Sequence, residues 1–292
     1  MAWWCTGVRW REAGPALGWW APGRAGRESV LAYGQELAFV VRGGRGCLGV
    51  WRGGRRTPCP RGAEVPARAT RAQCEECARI DRSYSVAADT MADDPRPYAV
   101  YLAYFGPGLV KVGITADERG SARLLEQGAV AFTWLARGPL MAARRVEELV
   151  GVALGVPDRI PYAKKRLVRS ALPPFDERVA ELRECRERAG RLTGWPESLE
   201  RAPFEVVDHS GRFGLTGEGA ATAVVRELAA EAVVVGRLTG VAGPDLHLAA
   251  EGGEVLVLDG RLLAGWRLDT APAGAVADVR TVELGGVQGG LF

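Results

Sequence analysis

Short apolar runs broken by Gly and Pro set the rhythm of the chain. Residues 3–10, 17–20, 29–33 and 36–41 are Trp-rich or alternate apolar with polar positions, and they predict short strands of a small β unit. Residues 98–105 and 109–114 are two apolar runs joined by Gly106-Pro107-Gly108, which predicts a hairpin. Residues 117–127 have an acidic first turn, Leu124 and Leu125, and Gly128 where a left-handed stop is needed, so a helix is expected there. A third strand follows over 129–136. Next comes a helix opened by Pro139, with Leu140, Val146, Leu149, Val150 and Ala153 as its apolar stripe. Residues 175–191 read as a charge-laced amphipathic helix closed by Gly194. Beyond it, residues 204–207, 232–238, 245–249, 254–258 and 262–268 are β-like runs, with a helix expected over 217–231.

The pattern implies an α+β chain in four parts. These are an N-terminal β unit (1–85), a β-β-α-β-α domain (96–172), a helical connector (173–200) and a C-terminal small antiparallel sheet or partly closed barrel (203–292). Residues 86–97 are polar and Pro-punctuated, as expected of a linker.

Composition changes this picture little. With 47% hydrophobic and 25% charged residues over 292 positions, ordinary cores can form. No apolar run approaches the roughly 18 residues of a membrane helix, and the start lacks a secretory layout, so a cytoplasmic protein is expected. A net charge of +3 is too small to demand a nucleic-acid partner. The positive charge is almost all Arg, the only lysines being Lys111, Lys164 and Lys165, and Asn is absent. Lys111 is therefore informative, because a generic cation here would be Arg; a compact ammonium suits its position.

Four cysteines, Cys47, Cys59, Cys74 and Cys77, lie within about thirty residues, the last two as Cys-x-x-Cys among Gly, Pro and Arg. In a reducing compartment this composition points to tetrahedral thiolate coordination of Zn²⁺. With every ligand a thiolate, no position is left open for water, and the metal is structural. Cys5 and Cys185 stand apart as ordinary free cysteines. Trp19 and Trp20 could stack on bases, although packing is the simpler reading. His209 and His247, the only histidines, lack clustered Asp or Cys and read as unrelated.

Strand alternation puts Tyr101 on one face of the hairpin, with Lys111 and Gly113 sharing a face of the second strand and Val110, Val112 and Ile114 on the other. Tyr on strand one, Gly two residues after a polar position on strand two, then Thr115 and a helix with arginines resembles the GIY-YIG nuclease superfamily. Ala99-Val100-Tyr101 stands for its first motif and Lys111-Val112-Gly113 for its second, in the lysine form of the phage-related branch. The resemblance implies metal-assisted phosphodiester hydrolysis. Its metal-binding glutamate on the later helix falls at Glu147, with Glu148 the neighbouring alternative, and it anchors Mg²⁺ or Mn²⁺. Arg123 or Arg119 clamps phosphate oxygens, Tyr101 orients or deprotonates water, and Lys111 replaces the second tyrosine as donor or base. Gly113, Thr115, Arg119, Lys164 and Lys165 are the expected substrate contacts, the last two within a basic cluster with Arg166 and Arg169 beside Tyr162. Two features depart from the pattern: the second Tyr is Lys, and no late Asn is present.

From about residue 36 to 268, the cysteine segments, the central block and VVGRLTGVAGPDLHL together resemble a bacterial family whose activity is not established. Where its members show GQYL, this chain has Gly243-Pro244-Asp245-Leu246. Three functional expectations follow: hydrolysis of nucleic acid, reuse of the fold on a small molecule in specialised metabolism, or noncatalytic nucleic-acid binding.

Overall fold

The computed structural model describes residues 2–52, 54–82, 94–215 and 220–285. The chain opens with β1 (Trp4–Arg11), β2 (Gly14–Trp20), β3 (Arg27–Val30) and β4 (Glu36–Arg42). A small hairpin, β5 (Val50–Arg52) and β6 (Arg55–Thr57), precedes α1 (Glu75–Arg82). The central segment runs β7 (Pro97–Tyr104), β8 (Val110–Ala116), α2 (Ala122–Gln127), β9 (Ala131–Pro139), α3 (Leu140–Leu154), α4 (Tyr162–Arg169) and α5 (Phe175–Gly190), then the short β10 (Glu200–Arg201) and β11 (Val206–Asp208). The C-terminal stretch adds β12 (Ala221–Glu227), β13 (Val233–Ala242), β14 (Asp245–Ala249), β15 (Val255–Asp259), α6 (Gly260–Leu263), β16 (Arg267–Thr270) and β17 (Arg280–Glu283). The fold is mixed α+β and mostly β.

Two compact units share the chain. The first takes Met1–Met91 and Ala221–Leu284, and the second is built on Ala92–Ala220. This differs from the four-part division, because β4 pairs with β13 on one side and β16 on the other. The resulting seven-stranded sheet, ordered β16-β4-β13-β14-β15-β12-β17, draws both ends of the chain into one body and has an open edge at each side. The helix expected over 217–231 is not formed. Residues 217–219 lie outside the described residues, and Ala221–Glu227 is strand β12, parallel to β15 and antiparallel to β17. The linker expected over 86–97 falls on 86–93 outside the described residues, and Pro97 already begins β7.

In the second unit the five-stranded sheet is ordered β10-β9-β7-β8, with β11 also on β9. Its strand β11 matches the apolar run at 204–207, so that run belongs to the central sheet and not to the C-terminal one. Helix α5, the core of the expected connector, packs on β7 and β9 and is part of this unit. β7 is buried on both faces. On one face Tyr101 and Ala103 cluster with Leu124 of α2, Phe132 and Ile160. On the other, Val112 lies against Gly151 of α3. The stripe of α3 that enters the core is Leu140, Ala143, Val146 and Val150; Ala153, expected in it, is exposed because it lies in the last turn, beyond the sheet.

Residues 117–127 form two pieces, a 3-10 turn at Asp117–Arg119 and then α2. Gly128 ends α2 at φ 71°, its N–H returning to the carbonyls of Leu124 and Leu125, the left-handed stop that a Cβ would disfavour.

Candidate functional site: a buried tyrosine and lysine pocket and a four-cysteine centre

The pairing register of the central hairpin sets Tyr101 directly opposite Gly113 and Ala103 opposite Lys111. The tyrosine ring lies across the glycine: a Cβ at position 113 would stand 2.5 Å from the Tyr101 hydroxyl oxygen. The ring is held edge-on to Trp134 at 6.2 Å, and Gln127 Nε2, from the end of α2, donates to its hydroxyl at 2.9 Å. Burial raises the Tyr101 pKa, the Gln127 hydrogen bond and the Arg123 guanidinium opposing the rise. The phenol is therefore held protonated near neutral pH.

Lys111 is 8% exposed. Its ammonium donates to the Asp158 carbonyl at 2.8 Å and lies 5.8 Å from the centre of the Tyr101 ring. Burial pushes its pKa down to about 8, Arg123 adding to the fall while Glu147 and Asp158 resist it.

β8 is an edge strand, and its outward N–H groups need partners. That of Val112 donates to the Pro157 carbonyl at 3.2 Å. The Ile114 N–H lies toward the Glu147 carboxylate of α3 and opposes, as the smallest influence, the rise that burial gives its pKa. Burial raises the Glu147 pKa, with Lys111 as the largest opposing influence. Tyr101, Lys111, Arg123 and Glu147 thus lie within electrostatic reach of one another. Glu148 points to solvent.

The two candidate phosphate clamps are exposed on the rim and share one carboxylate. Arg119 bonds Glu126 at 2.7 Å, and Arg123 lies 3.5 Å from it. Thr115 is buried on the Tyr101 face, opposite Ala99.

Lys165 differs from its expected role. It is buried and donates to the Gln127 carbonyl at 3.0 Å, where a cation complements the C-terminal end of α2. It also lies over the Phe105 ring at 3.9 Å and the Tyr162 ring at 4.4 Å. Its ammonium is committed inward because the helix end and two rings offer a better partner set than water alone. Arg169 is buried too, so of the basic cluster Lys164 is the member that is fully exposed.

Gln127, Trp134 and the Asp158 carbonyl escaped the sequence reading, although Gln127, last before the stop glycine, was findable by position.

In the first unit the thiols of Cys47, Cys59, Cys74 and Cys77 all lie within 4.8 Å of one another. Cys59 and Cys74 Sγ are 3.9 Å apart, and the Cys47 sulfur accepts from the N–H groups of Cys74 at 3.2 Å and Gly49 at 3.4 Å. Backbone donors pull the Cys59 and Cys74 thiols down, Cys74 to about 7, and burial pushes Cys47 and Cys77 up. Two half-buried thiolate-prone sulfurs facing two buried ones fit a bound divalent cation, which would offset two of the four thiolate charges. The geometry is compatible with a structural zinc site. Around it, among the described residues, Val50 and Val65 are buried with Cys47 and Cys77, and Ala63, Ala69 and Ile80 pack against them, a modest core that a metal would brace. Cys5 is core, its thiol pushed up to about 12 by burial, and Cys185 is half-buried.

The other candidates separate. Trp20 packs on Trp4, ring centres 5.8 Å apart, while Trp19 Nε1 donates to Ser29 Oγ at 2.9 Å. His209, buried between Phe132 and Phe213 with Nδ1 3.0 Å from the Ala129 carbonyl, belongs to the second unit, and His247 to the first. No helix among the described residues is long and apolar enough to cross a membrane.

No curated protein and no solved structure matches the chain. A family model does, over residues 34–268, which takes in the cysteine centre, the hairpin with Tyr101 and Lys111, and the sheet that joins the two ends. By that match the chain belongs to DUF2797, a protein family of unknown function.

Proposed function

We propose that the second unit is a GIY-YIG-like domain and that its pocket hydrolyses phosphodiester bonds of nucleic acid with the help of a divalent cation. The observation that carries the reading is the stacking of Tyr101 across Gly113, with Lys111 beside it and Glu147 reaching the same strand edge. Each group has a physical task. Glu147 would hold Mg²⁺ or Mn²⁺, which when bound would supply polarisation of the phosphate. Arg123 meets the charge that grows on the phosphate oxygens, and Lys111 meets it only once it has taken up a proton and become a cation. The Tyr101 hydroxyl, protonated and already accepting from Gln127, donates its proton to water or phosphate. It orients the nucleophile and does not deprotonate it. With the phenol excluded as base, Lys111, whose pKa is near 8, is the group suited to take a proton. In this reading the four cysteines hold a structural Zn²⁺ in the other unit.

The test is incubation with single-stranded DNA, duplex DNA and RNA in Mg²⁺ or Mn²⁺. Cleavage by the wild type and a loss of at least about a hundredfold in Glu147→Gln are expected. Absence of cleavage, or equal cleavage by the variant, overturns the proposal.

A second reading, the same fold acting on a small anionic molecule, is favoured by one observation. Tyr101 and Lys111 are 1% and 8% exposed, deeper than a groove for a polymer needs. Turnover of a small phosphate or carboxylate substrate that disappears in Lys111→Ala, with every nucleic acid left intact, would replace the first reading by this one.

A further inference from the structure

We propose that the cysteine-held module of the first unit is a docking surface for single-stranded nucleic acid. Trp51 is its stacking platform, and Arg52, Arg55, Arg79 and Arg82 are its phosphate contacts. The proposal deepens the nuclease reading by naming how the polymer is held, and shares with it only the class of partner.

The first observation is the distribution of charge. Residues 42–82 contain ten arginines against four acidic residues, a net of +6, although the whole chain nets only +3 and the remainder is therefore −3. An arginine-rich composition spread evenly would not produce this asymmetry; the excess is local, as in an electrostatic footprint for a polyanion. Four thiolates around a divalent cation would remove two of those charges and leave a clear excess.

The second is an exposed aromatic at the centre of that charge. Trp51 lies on β5 and is 45% exposed, an unusual position for so large an apolar ring. The guanidinium groups of Arg9 and Arg56 lie 5.1 and 5.4 Å from its ring. Burial first, and then repulsion from Arg9, lowers the Arg56 pKa to about 10, and its Nε is buried with no hydrogen-bond partner. Crowded cations with an unmet donor are relieved by an anion. Arg52 and Arg55 face one another across the hairpin and are exposed.

The third is rigidity. Asp81 of α1 accepts from the Trp51 N–H at 3.2 Å and also from Gln73, whose amide reaches the Gly49 carbonyl at 2.8 Å. The hairpin and α1 are thereby fastened around the cysteines, and Arg79 and Arg82 line a cavity of about 710 Å³ together with Arg61, Glu75 and Glu76, of which Arg61 and Glu76 pair at 2.7 Å. Arg55, Arg79 and Arg82 have no carboxylate partner among the described residues. A lone indole in a basic field suits a single strand, whose unpaired bases offer a π-face that a duplex hides.

The probe is a fluorescein-labelled single strand of about 20 nucleotides, oligo-dT or oligo-U, titrated into the full zinc-loaded chain without added Mg²⁺ or Mn²⁺ and followed by anisotropy. Four phosphate contacts predict a slope of log affinity on log salt of about −3, reduced to about −1 in Arg55→Ala/Arg79→Ala/Arg82→Ala. Trp51→Ala should bind about tenfold more weakly and Trp51→Phe close to wild type, both with one zinc per chain and an unchanged circular dichroism spectrum. The proposal is overturned if the strand does not bind, if the variants bind as the wild type does, or if a duplex binds more tightly and ignores Trp51→Ala. It is equally overturned if poly-glutamate competes as well as the oligonucleotide at equal charge. Binding without any cleavage once Mg²⁺ is added would sink only the nuclease reading. Cleavage by the wild type with binding untouched in these variants would sink only this one.

Discussion

Replacing Gly113 by Ala tests the contact on which the pocket is built. In a strand this change ordinarily stabilises by about 0.5–1 kcal/mol, because glycine loses more freedom on folding. Here the added methyl would stand 2.5, 2.6 and 2.9 Å from three atoms of Tyr101. The tyrosine cannot swing aside, since Gln127 holds its hydroxyl, Trp134 its edge and Leu124 packs in the same cluster. Overpacking of that kind costs about 1–3 kcal/mol, so the net expectation is a loss of about 0.5–2 kcal/mol and roughly 2–8 °C in Tm. A double-mutant cycle isolates the contact: in a Tyr101→Ala background the clash is gone, and Gly113→Ala should become neutral or stabilising, for a coupling of about 1–3 kcal/mol. The assay is urea unfolding of all four proteins, with phosphodiesterase activity read in parallel. If Gly113→Ala is as stable as the wild type, or the coupling is zero, the ring does not lie across the glycine and the site argument fails.

Three further outcomes follow from the same structure. Lys111 has a folded-state pKa near 8, below its ordinary value, so between about pH 8 and 10.5 the unfolded chain binds the extra proton and stability rises with pH across that window. Lys111→Met should flatten that rise by about 1–3 kcal/mol in pH-dependent urea midpoints, and an unchanged slope would deny the burial of its charge. Glu147 has a raised pKa, so its contribution falls as pH rises through that value; Glu147→Gln keeps an acceptor for the Ile114 N–H and should match or slightly exceed the wild type in stability at pH 7. Chelation of the purified protein should release one zinc per chain and lower the Tm of the first unit, and Cys77→Ser should do the same without chelator; a metal-free protein of equal stability would refute the structural role.

Local pattern was enough to find what local physics decides. Period-two alternation around Gly106-Pro107-Gly108 gave the hairpin and the facing of Tyr101 and Lys111. The stop at Gly128 and the spacing of four cysteines were equally plain. What pattern could not supply was partnership over long distances. Residues 221–227, ATAVVRE, mix four helix formers with three β-branched residues, and pairing between β15 and β17 settles them as strand. β4 gives no sign in sequence that its neighbours come from beyond residue 230. The arginine-rich background also hid which cations turn inward. Arg45 is 2% exposed and donates to the carbonyls of Pro66, Ala67, Ala69, Arg261 and Ala264, joining the cysteine loops to α6, yet in sequence it is one arginine among many.

Glu147 joins these two levels. An edge strand must satisfy or cover its outward N–H groups; at β8 the Pro157 carbonyl accepts from Val112, and the Glu147 carboxylate lies toward Ile114. A neutral acceptor would have sufficed at Ile114 and would not have carried the desolvation that raises this carboxyl's pKa. The half-buried acid stands beside a lysine whose charge is itself disfavoured by burial, and each group offsets part of the other's shift. In the proposed phosphodiesterase this pair would be the place where a metal and an anion meet, so the Glu147→Gln and Lys111→Met proteins test that proposal directly.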